Sequence, residues 1–200
     1  MKFSLPQHIN AHGLIPFLSQ LSTLRNEPEV ELDFQGLQRV SPAGLAALTS
    51  WTKHRQAKDF STQASGLDQC PIKSYLQRMN LLRLCGWKGS GEEFQRRDEN
   101  NRFIPLEEIS HQVEELGDRF ASCIAPGGED YEHKLAGLYD ASWYLITELA
   151  NNVRQHSGGS GVVVAQTTQK DGFVRIAPLP TTAKGSLKAS AVPESPPGKN

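Results

Sequence analysis

The chain has 200 residues, of which 38% are hydrophobic and 22% are charged, and its formal net charge is -1. This average composition excludes a strongly basic nucleic-acid binder and an acidic disordered protein as first expectations. No apolar run is long enough to span a bilayer, the N-terminus lacks the apolar core of a signal peptide, and the three cysteines form no C-x-x-C pair. We therefore expect a cytoplasmic protein that binds neither membrane nor nucleic acid.

The first half of the sequence alternates between strand and helix patterns. A short first strand precedes residues 14–24, whose apolar positions recur at helical spacing. Residues 29–34 alternate strictly between polar and apolar, which is the clearest strand signal in this half. Ser41 and Pro42 are typical of a helix start, because serine can cap a helix and proline fits its first turn.

Two more elements complete this half. Residues 60–65 predict a weak strand, and Pro71 opens a helix that ends near Gly86. The order β-α-β-α-β-α predicts a sheet with helices packed on it. We expect the following apolar residues to form one core: Val30, Leu32, Phe34, Leu45, Leu48, Leu76 and Met79.

Residues 1–88 resemble a STAS-like domain, the fold of anti-sigma-factor antagonists. The resemblance depends on the alternating strand, on a helix that begins near Gly44, and on the ending at 75–86. In that family the phosphorylated serine lies in Asp-Ser-x-Gly. Alignment on Gly44 places Pro42 at the serine and Ser41 at the aspartate, so the usual switch cannot operate there. Ser41 can act as a helix cap or as a displaced phosphorylation site, and its place before Pro42 favours the cap.

The second half begins after a polar, glycine-containing stretch, residues 89–104, which we interpret as a linker. A helix is predicted from about 106 to 121 and another from about 132 to 156. Residues 162–165 and 173–177 predict a hairpin.

The second of these helices carries a polar stripe. Glu148, Asn152 and His156 are spaced by four, so each drifts by only about 40° around the helix from the one before. An apolar stripe at the same spacing lies beside them: Leu145, Leu149 and Val153. Solvated positions are expected at Thr147, Asn151 and Arg154. The polar stripe should then lie at the edge of the buried face, which suits either the rim of an amphipathic helix or Mg²⁺ and water chemistry.

Glu148-x-x-x-Asn152-x-x-x-His156, followed by glycines and a strand, resembles the N-box of the histidine kinase-like (GHKL) ATPase superfamily. It is most similar to the anti-sigma-factor serine kinases, and the resemblance covers residues 105–177. It implies ATP and Mg²⁺ as ligands, with Asn152 holding Mg²⁺ against the phosphates and Glu148 activating the attacking hydroxyl or water. His156 falls with Asn152 among the implied cofactor-binding positions, without an assigned role.

The sequence departs from this family after Ala177. The family continues with Asp-x-Gly-x-Gly, whose aspartate reads the adenine amino group, but here no acid occurs between Asp171 and Glu194. Residues 178–200 are rich in Ser, Pro, Lys, Gly and Ala, which predicts a disordered tail. The nucleotide site is therefore expected to be incomplete.

Together these patterns predict an α/β protein: a STAS-like sheet-and-helix domain followed by the N-terminal part of a GHKL-type α/β sandwich. The resemblances imply a bacterial signalling regulator with a protein partner of the sigma or anti-sigma type. Two modes of action stay open. One is an ATP-binding, kinase-like regulator, and the other is a non-catalytic interaction module that acts through the STAS-like domain.

Overall fold

The computed structural model describes residues 1–87, 103–109, 112–125, 137–157, 161–168, 173–176 and 179–180. The strands are β1 (Lys2–Ser4), β2 (His8–Ile9), β3 (Glu29–Asp33), β4 (Arg39–Val40), β5 (Ser61–Ser65), β6 (Phe103–Glu108), β7 (Gly161–Thr168), β8 (Phe173–Ile176) and β9 (Leu179–Pro180). The helices are α1 (Leu14–Thr23), α2 (Pro42–Gln56), α3 (Lys73–Arg78), α4 (Leu81–Cys85), α5 (Val113–Ile124) and α6 (Leu138–Ser157). None of the helices in this described part is both long and apolar enough to cross a membrane.

The first half is built on a parallel sheet in the order β1-β3-β5, with a separate parallel pair formed by β2 and β4. In the centre of the sheet, Leu32 lies between Phe3 and Ala64. This confirms the predicted mixed α/β architecture. It also confirms the predicted core, because all of its expected members are buried in one cluster: Val30, Leu32, Phe34, Leu45, Leu48, Leu76 and Met79.

The start of α2 agrees with the local chemistry of its sequence. Ser41 is extended (φ -81, ψ 162), and its hydroxyl oxygen accepts a hydrogen bond of 3.2 Å from the Gly44 N–H. Pro42 is the first helical residue, where its missing N–H has no partner to lose. Ser41 is therefore a helix cap in this structure.

The helix predicted to run from Pro71 to Gly86 is interrupted at Asn80. This residue is left-handed (φ 62) and separates α3 from α4. Its side-chain amide donates to the Leu106 carbonyl at 3.1 Å, and the Leu106 N–H donates to the Met79 carbonyl at 3.1 Å. The break thus supplies both hydrogen-bond partners of Leu106, a residue of β6.

The helix predicted over 106–121 is wrong at its start, because Phe103–Glu108 forms strand β6 and α5 begins only at Val113. The cause is tertiary, because β6 pairs with β7, with a shift of register between Ile104 and Glu107 in the stretch that contains Pro105. The irregularity turns neighbouring apolar residues to opposite sides. Ile104 packs in the cluster beneath α5 and α6, while Leu106 joins the core of the first half.

Strand β7 contributes side chains to the hydrophobic clusters of both halves. It pairs with β6 on one edge and with β8 and β9 on the other, all antiparallel. Val162 and Val164 pack in the core of the first half, whereas Val163 and Ala165 pack beneath α5 and α6. A strand covered on both faces needs a continuous apolar run, which is what this segment has.

The predicted hairpin is confirmed, since Ala165 pairs with Ile176 and Thr168 with Phe173. Leu179, placed by sequence in the disordered tail, pairs with Val162, and Pro180 pairs with Gly161. Residues 181–200 of that tail lie outside the described residues, as do residues 89–102 of the predicted linker. The division into domains at residue 88 stays a prediction.

Candidate functional site

Helix α6 is held against α5 by a close contact at Gly117. A β-carbon at this position would lie 2.7 Å from Cγ2 of Thr147 and 3.0 Å from the Trp143 ring, so only glycine fits without displacement. On the same side of α6, Ile146 and Ala150 are buried in the cluster that α5 and β7 complete. The contact with α5 therefore decides which face of α6 is covered.

The rotation of α6 about its axis differs from the sequence-based prediction. Leu145 was expected in the core but is 54% exposed, whereas Thr147 was expected in solvent and is only 6% exposed. Thr147 can be buried because its hydroxyl donates to the carbonyls of Trp143 (3.0 Å) and Tyr144 (2.9 Å) within the helix. Asn151 and Arg154, also expected in solvent, are half-buried.

The rotation moves the predicted site residues from the rim of the core to the solvent side. Glu148 and Asn152 are both exposed, one helical turn apart. They lie on the side of α6 opposite Ile146 and Ala150. The backbone of His156 continues the helix, and its side chain lies outside the described part. The structure thus brings Glu148 and Asn152 to one accessible face, and their role in a nucleotide site stays a prediction.

The oxygen donors on this face fit the phosphate and Mg²⁺ end of a Mg·ATP complex, and not its adenine end. The Asn152 amide oxygen and the Glu148 carboxylate are hard oxygen donors, the type that Mg²⁺ prefers. Within the described residues, no group of three His, Cys, Asp or Glu side chains could hold a metal ion by itself. These residues could therefore meet a cation that phosphates already hold, but they form no metal cage of their own.

Apolar side chains share this face with the polar pair. Tyr144 is 63% exposed and Leu145 is 54% exposed, and the neighbouring Asp140 and Ala141 are exposed as well. Leu145 was expected in the core, and its place on the surface could not be predicted from periodicity. The informative signal was Gly117 on α5, because it selects Trp143 and Thr147 as the side of α6 that makes the close contact.

Among the described residues, Arg55 is a buried charged group outside α6, and its contacts are structural. Arg55 is fully buried, and its guanidinium donates to the Leu24 carbonyl (2.8 Å), the Ser61 carbonyl (2.7 Å) and the Thr62 hydroxyl (2.9 Å). Its carbon Cζ lies 4.9 Å from the Trp51 ring centre. Burial lowers its pKa. Through these contacts the residue joins the end of α1 to β5.

The three cysteines offer no reactive thiolate. Cys70, Cys85 and Cys123 are all buried and unpaired. Burial raises the pKa of Cys85 to about 12 and that of Cys123 to about 11, and it also raises the pKa of Cys70. Thiols with such pKa values stay protonated at neutral pH and are poor nucleophiles.

A second exposed apolar pair lies on α1. Ile15 is 77% exposed and Leu18 is 42% exposed, while Phe17 and Leu21 of the same helix are buried in the core. A shallow depression occurs on the outer face of the first sheet, lined by Met1, Lys2, Glu29, Val30, Glu31, Ser61 and Gln63. It includes neither Glu148 nor Asn152.

Comparison with known proteins adds no relative, because no family model, no curated protein and no solved structure matches this chain. The functional interpretation therefore depends on the residues and contacts described above.

Proposed function

We propose that this chain is a bacterial signalling regulator of the anti-sigma type, with a STAS-like first half and a partial, kinase-like ATPase second half. The observation that supports it is the pair Glu148 and Asn152, which are exposed one turn apart on one face of α6. Accessibility of both side chains is what a ligand-binding role requires.

In this proposal the two residues have different tasks. Asn152 offers a neutral oxygen to Mg²⁺ at the ATP phosphates, and Glu148 orients or deprotonates the attacking hydroxyl or water. ATP with Mg²⁺ would supply the phosphoryl group. The sequence has no acid after Asp171 until Glu194 to read the adenine amino group, and an unpaired polar edge costs about 1–3 kcal/mol per group. We therefore expect weak Mg·ATP binding at most, and no kinase activity.

Calorimetry with Mg·ATP tests this on two proteins, the native chain and a chain completed after Ala177 with an Asp-x-Gly-x-Gly segment and the remaining domain. We expect little heat from the first and clear binding by the second. Asn152→Ala should abolish binding by the completed chain, whereas Asn151→Ala, its half-buried neighbour, should leave it intact. Tight binding by the native chain, or binding indifferent to Asn152→Ala, would refute the proposal.

A second candidate is a non-catalytic interaction module that acts through the STAS-like half on a sigma or anti-sigma type partner. The exposed pair Ile15 and Leu18 favours it, because large apolar side chains side by side on a helix are typical of protein contacts. A photo-crosslinking residue at Ile15 should capture such a regulator in cells, and one at the exposed Gln20 of the same helix should not. Equal labelling from both positions would remove this candidate.

A further inference from the structure

The outer face of α6 combines an apolar centre with acidic ends. We define this face by six exposed residues: Asp140, Ala141, Tyr144, Leu145, Glu148 and Asn152. Tyr144 and Leu145 expose more than half of their surface. Asp140 precedes Tyr144 by four residues and Glu148 follows it by four, so the two carboxylates flank the aromatic ring along the helix.

The charge of this face argues against several occupants. The exposed positions among the described residues of α6 include two acids and no lysine or arginine. Nucleic acid and anionic lipid surfaces both require positive charge from the protein, so neither suits this face. The same charge disfavours a second copy of the chain. In a two-fold pairing of α6 helices centred on Tyr144, Asp140 of each copy would face Glu148 of the other, and both contacts would be repulsive.

The apolar centre argues against a purely polar occupant. A purely polar occupant would not bury the Tyr144 and Leu145 side chains in an apolar contact. A tyrosine at the centre of a surface is a frequent anchor of protein contacts. The two carboxylates are eight residues apart, which corresponds to about 12 Å along a helix. A complementary partner therefore carries two cations at that separation with an apolar side chain between them.

We propose that the outer face of α6 binds a basic amphipathic helix of a partner protein, with lysine or arginine residues two turns apart on either side of an apolar anchor. The anchor packs against Tyr144 and Leu145, and the two cations pair with Asp140 and Glu148. The inference deepens the proposed role as a regulator that binds proteins. It also gives Glu148 a binding partner that does not depend on a complete nucleotide site.

A pair of designed helical peptides tests the proposal by fluorescence anisotropy on the full chain. The first has leucine anchors between two lysines eight positions apart, and the second has glutamates in place of those lysines. We expect the native chain to bind the lysine peptide and to discriminate against the glutamate peptide by about tenfold or more, a ratio that corresponds to about 1.4 kcal/mol. Tyr144→Ala should weaken binding by about tenfold, as for an interface anchor.

Replacing both carboxylates by lysines tests the charge pairing more directly than Tyr144→Ala does. The variant Asp140→Lys/Glu148→Lys should reverse the preference and select the glutamate peptide, whereas Glu114→Lys, an exposed position on α5, should leave it unchanged. No binding of the lysine peptide at millimolar concentration, equal binding of both peptides, or no effect of Tyr144→Ala would each overturn the proposal. So would a dimer in sedimentation that Tyr144→Ala dissociates.

The outcome is separable from that of the nucleotide experiment, because Tyr144 has no role in the proposed Mg·ATP site. If the peptides fail while Asn152→Ala abolishes ATP binding by the completed chain, only the docking proposal falls. If the peptides bind with the expected discrimination and the completed chain does not bind ATP, the nucleotide proposal falls instead.

Discussion

The carboxylate of Asp33 links two parts of the first sheet. It accepts a hydrogen bond from the Gln35 N–H at 3.0 Å and pairs with the Lys2 ammonium at 3.1 Å. The backbone N–H contributes most, and the lysine next, to a pKa that lies below the ordinary value of 3.8. A lowered pKa in the folded state stabilises the fold above the ordinary value, and this stabilisation is lost as the pH falls through the lowered one.

We therefore predict that Asp33→Asn flattens the stability curve at acid pH. Asparagine can still accept from Gln35 but does not titrate, so the variant should lose less stability than the native chain below about pH 4. Lys2→Gln should weaken the native pH dependence without removing it, because the Gln35 N–H, the largest single cause, stays in place. Urea midpoints measured stepwise from neutral to acid pH provide the check. Parallel curves for the native chain and Asp33→Asn would contradict it.

The Ser41 hydroxyl was interpreted from the sequence either as a helix cap or as a displaced phosphorylation site, and the cap can be tested by stability. As the cap of α2 it bonds the Gly44 N–H, so Ser41→Ala should destabilise the protein by about 0.5–2 kcal/mol. Ser41→Asp retains a capping oxygen and should be close to native. Urea unfolding of the two variants measures both values. A Ser41→Ala variant as stable as the native chain would mean that the cap has no energetic role.

For single residues, the sequence predicted the conformation where the cause lay in neighbouring residues. The cap at Ser41 follows from the residue and its neighbour, Pro42. The hydrogen bond of the Asn80 side chain does not, because its acceptor, the Leu106 carbonyl, comes from a distant segment of the chain.

The contact between α5 and α6 depends on a single missing side chain. Gly117→Ala gains about 1 kcal/mol of helix propensity, but its methyl group would overlap Thr147 and the rigid Trp143 ring. Overpacking of this kind costs about 1–3 kcal/mol. We predict net destabilisation, which chemical unfolding can measure.

Two further variants show whether the overlap is the cause. Thr147→Ser removes the nearest methyl group and keeps the hydroxyl, so Gly117→Ala should cost less in that background. Glu115→Ala, at an exposed position of α5, should be nearly neutral. An equal cost of Gly117→Ala with and without Thr147→Ser would show that the methyl group is not responsible.

The helices and strands were easier to predict than their orientation. Helix α6 has enough apolar residues on two sides that periodicity alone could not select between Leu145 and Ile146 as core positions. The partner helix makes that choice through Gly117. For β6, the spacing of Leu106 and Ile109 imitates a helix, and pairing with β7 overrides it. The same holds for the candidate site. The sequence predicted that Glu148 and Asn152 share one face of α6, but the orientation of that face depends on a tertiary contact.

In the whole molecule, β7 couples the two hydrophobic clusters. Because its alternate side chains belong to different clusters, we predict one cooperative unfolding unit rather than two independent domains. Native-state hydrogen exchange of the Leu32 and Val164 amides should report the same opening free energy. Val163→Ala, which reduces the cluster beneath α5 and α6, should lower both values equally. A change at Val164 with none at Leu32 would indicate separable units.

The same strand has a consequence for synthesis on the ribosome. The core of the first half includes Leu106, Val162 and Val164, which are made long after β5 and α2 have emerged. At roughly 5–20 residues per second, the nascent first half waits several seconds with part of its apolar surface uncovered. A holding chaperone that covers this surface until β7 arrives should raise the yield of native protein more than one that acts on the finished chain.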